Sequence, residues 1–199
     1  MAAADARIPQ RVGEVIEATS TGFVAQCYQL YVAPPLGAFV HTSSPQIYGV
    51  VYRVFTEPLD SSRPVLARGD GAASEEEVYR NNPQIARLLT SRFETLIVGH
   101  GSDGANHHYL PPLPPRVHSF VYTCVAEEVV EFTTRLDFLH LVVTCGLPVA
   151  DEVVGACLRQ ATAAHPDQQA FRRRAGKSLA TELANDLSRL NAILRRLAP

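Results

Sequence analysis

Between Arg11 and Val54 the chain lays down four short runs of β-branched and aromatic residues, each broken by turn residues and each carrying glycine. They are Arg11–Glu17 (RVGEVIE), Gly22–Leu30 (GFVAQCYQL), Gly37–Thr42 (GAFVHT) and Ile47–Val54 (IYGVVYRV). Thr19 to Gly22, Pro34 to Gly37 and Ser43 to Pro45 punctuate them. Strands so short, with turns so frequent, predict a small closed β-barrel. Glycine inside a run, as at Gly13 and Gly49, supplies the bend or close backbone approach that a narrow barrel needs.

Past Val54, residues 57–64 are turn-rich and Val65–Arg68 reads as a short strand. Ser74 followed three residues later by Glu77 predicts a helix start. Asn81 to Pro83 interrupts that helix, and Gln84–Arg92 resumes it with Ile85, Leu88 and Leu89 on one face. Phe93–Val98 and Val117–Val125 read as a fifth and a sixth strand, separated by a turn and a proline-rich passage. From Ala126 the periodicity changes. Residues 126–135, 136–145, 150–164 and 167–197 predict helices, with Val153, Val154, Cys157, Leu158 and Ala161 at three-and-four spacing. Leu179, Leu183, Leu187, Leu190, Ile193, Leu194 and Leu197 form a late apolar stripe that must cover either the preceding helices or another subunit. The expectation is an α+β chain. A six-stranded barrel fills residues 1–125 with a helical insertion near 74–92, and a helical domain fills 126–199.

A hydrophobic content of 46% in 199 residues supports one good core, or a core with a helical appendage. The net charge of −2 is unevenly spread: from Gln160 onward seven Lys/Arg stand against three acids, leaving about −6 for the rest. That split suits self-association or an acidic protein partner, and it is too small to argue for direct contact with nucleic acid. No run of about 18 apolar residues exists and the first residues lack a signal-peptide core, so no membrane is expected. Cys27, Cys124, Cys145 and Cys157 are widely spaced in apolar surroundings, which predicts reduced structural thiols in a cytoplasmic protein.

Several motifs imitate chemistry. Gly99-His-Gly-Ser-Asp-Gly104 matches the dinucleotide fingerprint letter for letter, but it runs into His107, His108 and two prolines, where no helix can open to hold a pyrophosphate. It reads as a hairpin turn. Arg174 to Ser178 imitates the end of a phosphate loop, but Phe171 stands where glycine is required and the context is helical. His100, Asp103, His107 and His108 crowd into nine residues. A polar hairpin tip is the plainer reading, since no rigid frame is evident, and the four remain only as candidate ligands of a weak zinc or nickel site. Pro111 to Pro115 predicts a polyproline segment, either a strap over the chain's own barrel or a ligand for an aromatic groove. No nucleophile elbow appears, so no catalytic residue and no cofactor is assigned.

Taken together, Arg11 to Glu17, Gly22 to Ala25, Pro34 to Val40, Ile47 to Tyr52 and a closing strand near Val117 to Val121 after Arg116 resemble the HAS-barrel family. This is the small barrel at the N-terminus of HerA-type DNA-translocating ATPases and in subunits of rotary ATP synthases. The resemblance covers about the first 125 residues, with an insertion near Asp60 to Arg92. It implies barrels packed side by side as docking collars. It does not imply ATP hydrolysis, because a helical tail stands where the family's motor would follow. The expected function is therefore a non-enzymatic assembly or docking module, partnering a HerA-like ATPase or further copies of itself. The alternative is a small-ligand or metal-binding protein, or an enzyme, using the Gly99–His108 hairpin.

Overall fold

The four N-terminal runs all become strands: β1 (Arg11–Ala18), β2 (Gly22–Cys27), β3 (Phe39–Thr42) and β4 (Ile47–Pro58). The computed structural model describes residues 9–197. It continues with α1 (Glu75–Asn81), α2 (Ile85–Leu88), β5 (Leu89–Ser102), β6 (Ala105–His107) and β7 (Phe120–Thr123). The helical half is α3 (Ala126–Phe132), α4 (Leu139–Thr144), α5 (Ala150–Ala164), α6 (Gln168–Glu182) and α7 (Leu187–Leu197). The architecture is α+β, with one antiparallel sheet in the order β2-β1-β7-β3-β4-β5-β6. β2 also pairs with β5 from Gly22↔Leu96 to Gln26↔Arg92. Close approach between strands explains the glycines. A Cβ on Gly13 would strike the Gln26 carbonyl oxygen, and one on Gly49 the Thr95 methyl.

Alternation along the strands creates two cores. Val12, Val15, Phe23, Ala25, Val40, Ile47, Val51, Phe93, Ile97 and Val121 point to one side and pack together. Their neighbours Phe39, Tyr48, Val50 and Val98 point to the other side, where α3, α4 and α5 cover them and α6 and α7 pack in turn on α5. β3, β4 and β5 are thus apolar on both faces, a consequence of the two-residue period of a strand. Within the helical layer α5 is central, burying Val153, Val154, Cys157, Leu158 and Ala161. The turn before β3 is locked onto it. Gly37 has φ +79°, a side chain there would meet the Ala156 backbone, and Gln160 Nε2 donates to the Leu36 carbonyl at 2.8 Å.

Several expectations need correction. Among the described residues the sheet has seven strands rather than six, because the three-residue β6 is too short to show a period. Val65–Arg68 forms no strand. Helix ends at Leu88 rather than Arg92, because Leu89 already pairs with Pro58 and the β4–β5 ladder overrides local helix propensity. Residues 167–197 are two helices, not one. Asp186 Oδ1 accepts from Arg189 N at 2.9 Å and starts α7 afresh. Most of the late apolar stripe packs inside the chain, with Leu179, Leu183, Leu190, Ile193 and Leu197 buried, while Leu187 is 65% exposed. The tail's arginines are partly spent at home: Arg189 pairs with Asp151 at 2.7 Å and Arg196 with Glu152 at 2.6 Å.

Candidate functional site

The hairpin of β5 and β6 turns on Asp103 (φ +52°) and Gly104 (φ +74°), the two consecutive left-handed residues that a tight hairpin favours. The fingerprint-like glycines therefore form a turn. His100 and His107 are cross-strand partners with ring centroids 5.1 Å apart, and Tyr109 packs edge-on against His100. Asp103 stays exposed at the tip. His108 leaves the group altogether. Its ring lies 4.5 Å from Phe132 and edge-on to Phe138, and burial there lowers its pKa below the usual histidine value. Among the described residues the four candidate ligands do not converge.

Three other side chains do. His41 on β3, Cys124 just after β7 and Glu128 in the first turn of α3 place a ring nitrogen, a thiol and a carboxylate oxygen within 4.8 Å of one another. Strand register assembles them, since His41 pairs with Tyr122 and Cys124 N donates to Phe39 O at 3.0 Å. His41 is 7% exposed and its ring stacks on Tyr122 with 5.6 Å between centroids. Its Nδ1 lies 3.3 Å from the Thr42 carbonyl oxygen, while Nε2 is buried without a hydrogen-bond partner, 3.4 Å from Glu128 Oε1. The separation is that of an ion pair, but the geometry is not that of a hydrogen bond. Glu128 Oε2 accepts from Val125 N at 2.9 Å, which fixes the carboxylate at the helix start. Burial first, then the Glu128 charge, pushes the Cys124 thiol well above its ordinary value. The Tyr48 phenol is raised by burial first and then by the negative potential of Cys124, Glu128 and Glu131.

Sequence reasoning missed this cluster because its members lie far apart in the chain and only the β3–β7 pairing unites them. The remaining thiols are free, and burial raises Cys27 to about 11 and Cys157 to about 12, which makes them inert packing groups. The phosphate-loop imitation lies within α6, where Arg174 donates to the Thr133 carbonyl at 3.0 Å and Gly176 faces Leu194. Pro111 and Pro115 are buried against the chain while Leu113 is 74% exposed, so the proline segment lies as a strap.

A separate apolar groove opens at the outer end of the β4–β5 ladder. Residues 59–88, tied at their base by Leu59 N to Leu88 O at 2.8 Å, wrap a cavity of about 570 Å³ lined by Tyr31, Leu59, Val65, Leu66 and Tyr79. Leu59, Val65 and Leu66 are 56%, 62% and 67% exposed, and Arg63, Arg68 and Arg87 stand around them with Asp60 and Glu75. Tyr31 and Tyr79 brace one wall through a 2.7 Å hydrogen bond between their hydroxyls. No nucleophile paired with a base lines it. The chain matches no protein-family model, and no curated protein matches it. No helix among the described residues is long and apolar enough to cross a membrane.

Proposed function

We propose that this chain is a non-enzymatic assembly module of the HAS-barrel kind, docking a HerA-like ATPase or further copies of itself. The barrel reading is supported by the extra pairing of β2 with β5, which joins the two ends of the series β2-β1-β7-β3-β4-β5. β6 then hangs from β5 as a hairpin. Docking rests on one observation above all: the groove under residues 59–88 leaves several large apolar side chains in water beside an arginine-rich rim. Burying side chains of that size stabilises an interface by about 1.5–3 kcal/mol each. The occupant is read as an apolar segment of a protein with acidic flanks, in keeping with Arg68 and Arg87, while Arg63 pairs with Asp60 at 3.3 Å.

Sedimentation of the purified chain, alone and mixed with a HerA-type ATPase from the same cell, tests this. Association is expected in one of the two experiments, and Leu66→Glu with Val65→Glu should weaken it by about tenfold or more while leaving the melting temperature nearly unchanged. A chain that stays monomeric and binds no ATPase, or binding indifferent to those two charges, would sink the reading.

A further inference from the structure

We propose that His41, Cys124 and Glu128 bind a divalent cation of the zinc class at the seam between sheet and helical layer. An imidazole nitrogen, a thiol sulfur and a carboxylate oxygen, all within 4.8 Å, make a mixed donor set. Zinc and its neighbours take such a set, whereas magnesium and calcium ask for oxygen alone.

The second, independent observation is the orphaned Nε2 of His41, buried and aimed at Glu128. If the Nδ1 proton points to the Thr42 carbonyl oxygen, 3.3 Å away, the lone pair sits on Nε2, the tautomer that ligates metals. That lone pair then faces a carboxylate oxygen at 3.4 Å. Two electron pairs opposed at a half-buried seam repel. A cation between them turns the repulsion into two bonds. The separation of 3.4 Å is also the edge of a tetrahedron whose metal–ligand bonds are about 2.1 Å.

The donors are held in place beforehand. Tyr122 stacks on the imidazole, the Val125 amide grips the far oxygen of Glu128, and the Cys124 amide is bound into the β3–β7 edge. On binding, the Cys124 S–H bond breaks, its proton passes to solvent and a sulfur–metal bond forms. Thiolate and carboxylate together then neutralise the dication, which suits a half-buried seam. Three protein ligands leave one position for water. The site stands whether or not the chain docks a partner.

The experiment titrates Co²⁺ into the full chain, stripped with a chelator and kept reduced. One equivalent should bind with a sulfur-to-cobalt charge-transfer band and the intense visible absorption of four-coordinate cobalt, and Zn²⁺ should displace it. Cys124→Ser should abolish the charge-transfer band, and His41→Ala should weaken binding by about tenfold or more. The pair His100→Ala with His107→Ala should change nothing. If Cys124→Ser does not fold by circular dichroism, Glu128→Gln serves instead and should weaken binding by a similar factor. Absence of the band in the wild-type chain, its survival in a folded Cys124→Ser, or dependence on the hairpin histidines would overturn the proposal. His41 and Glu128 would then be an ion pair and nothing more.

Discussion

The two cores of this protein share one wall but are built from different materials. Inside the strand ladder the packing is mainly β-branched, with Val12, Val15, Val40, Ile47, Val51, Ile97 and Val121 around Phe23 and Phe93. Behind β3, β4 and β5 the helical layer is aromatic and leucine-rich, with Phe39, Tyr48, Phe132 and Phe138 meeting at centroid distances of 4.5–6.1 Å. It also holds His108 against Phe132 and His165 stacked on Phe171. The difference teaches that a strand wall serves two masters. Each of Phe39, Tyr48, Val50 and Val98 belongs to the helices, although the chain places it next to a residue of the inner core.

Ending the chain at Val125 tests that division most severely. It uncovers four side chains now 0–4% exposed, worth about 1.5–3 kcal/mol each against a total stability of about 5–15 kcal/mol. The truncated chain is expected to lose its cooperative transition or to self-associate, as judged by melting and sedimentation. A monomer with a sharp transition would show that the inner core suffices, as the sequence alone suggests. Next in size, Phe132→Ala removes the ring on which Phe39, Tyr48, His108 and Phe138 converge. It should cost about 3–5 kcal/mol in denaturant unfolding. A loss under 1 kcal/mol would mean that the aromatic layer repacks freely.

Acid should separate the two cores more gently. Burial lowers the pKa of both His108 and His165 from the ordinary value of 6.5. A group depressed in the folded state binds fewer protons there than in the unfolded chain. Its contribution is therefore complete above about pH 6.5 and is lost as pH falls through the lowered value. The melting temperature should drop as the pH falls below about 6.5, and His108→Phe should flatten that slope. An unchanged slope would place the acid sensitivity elsewhere. The smallest effect belongs to Leu187→Ala, where a side chain 65% exposed should shift stability by no more than about 0.5 kcal/mol. A larger loss in a concentration-dependent melt would reveal that Leu187 is covered by another subunit.

Much of this organisation was legible in the residues. The glycine-punctuated runs gave four strands, because a two-residue period and turn chemistry are local. Ser74 caps α1 as read, accepting from Glu77 N at 3.3 Å, though the Glu77 carboxylate reaches Ala73 N rather than Ser74 N. The Asp103–Gly104 turn followed from the same local logic. What stayed hidden was relational. The continuation of β5 back to Leu89 depends on a partner strand, and β6 exists only because His107 meets His100. His107 and His108, adjacent in sequence, part to opposite surroundings, while His41 finds Cys124 and Glu128 through a register that no window of sequence contains.

The β4–β5 ladder runs on through Arg53–Pro58, and no residue of that stretch belongs to either core. The segment at its tip leaves and returns at adjacent residues, Leu59 and Leu88. Such a finger is a graft site. Its length and composition can drift at little entropic expense, since closing a longer loop costs only about 0.6 kcal/mol per doubling. Descendants of this chain can therefore vary residues 59–88 without disturbing how they fold, and a designer can exchange that segment as one would change the bit on a drill.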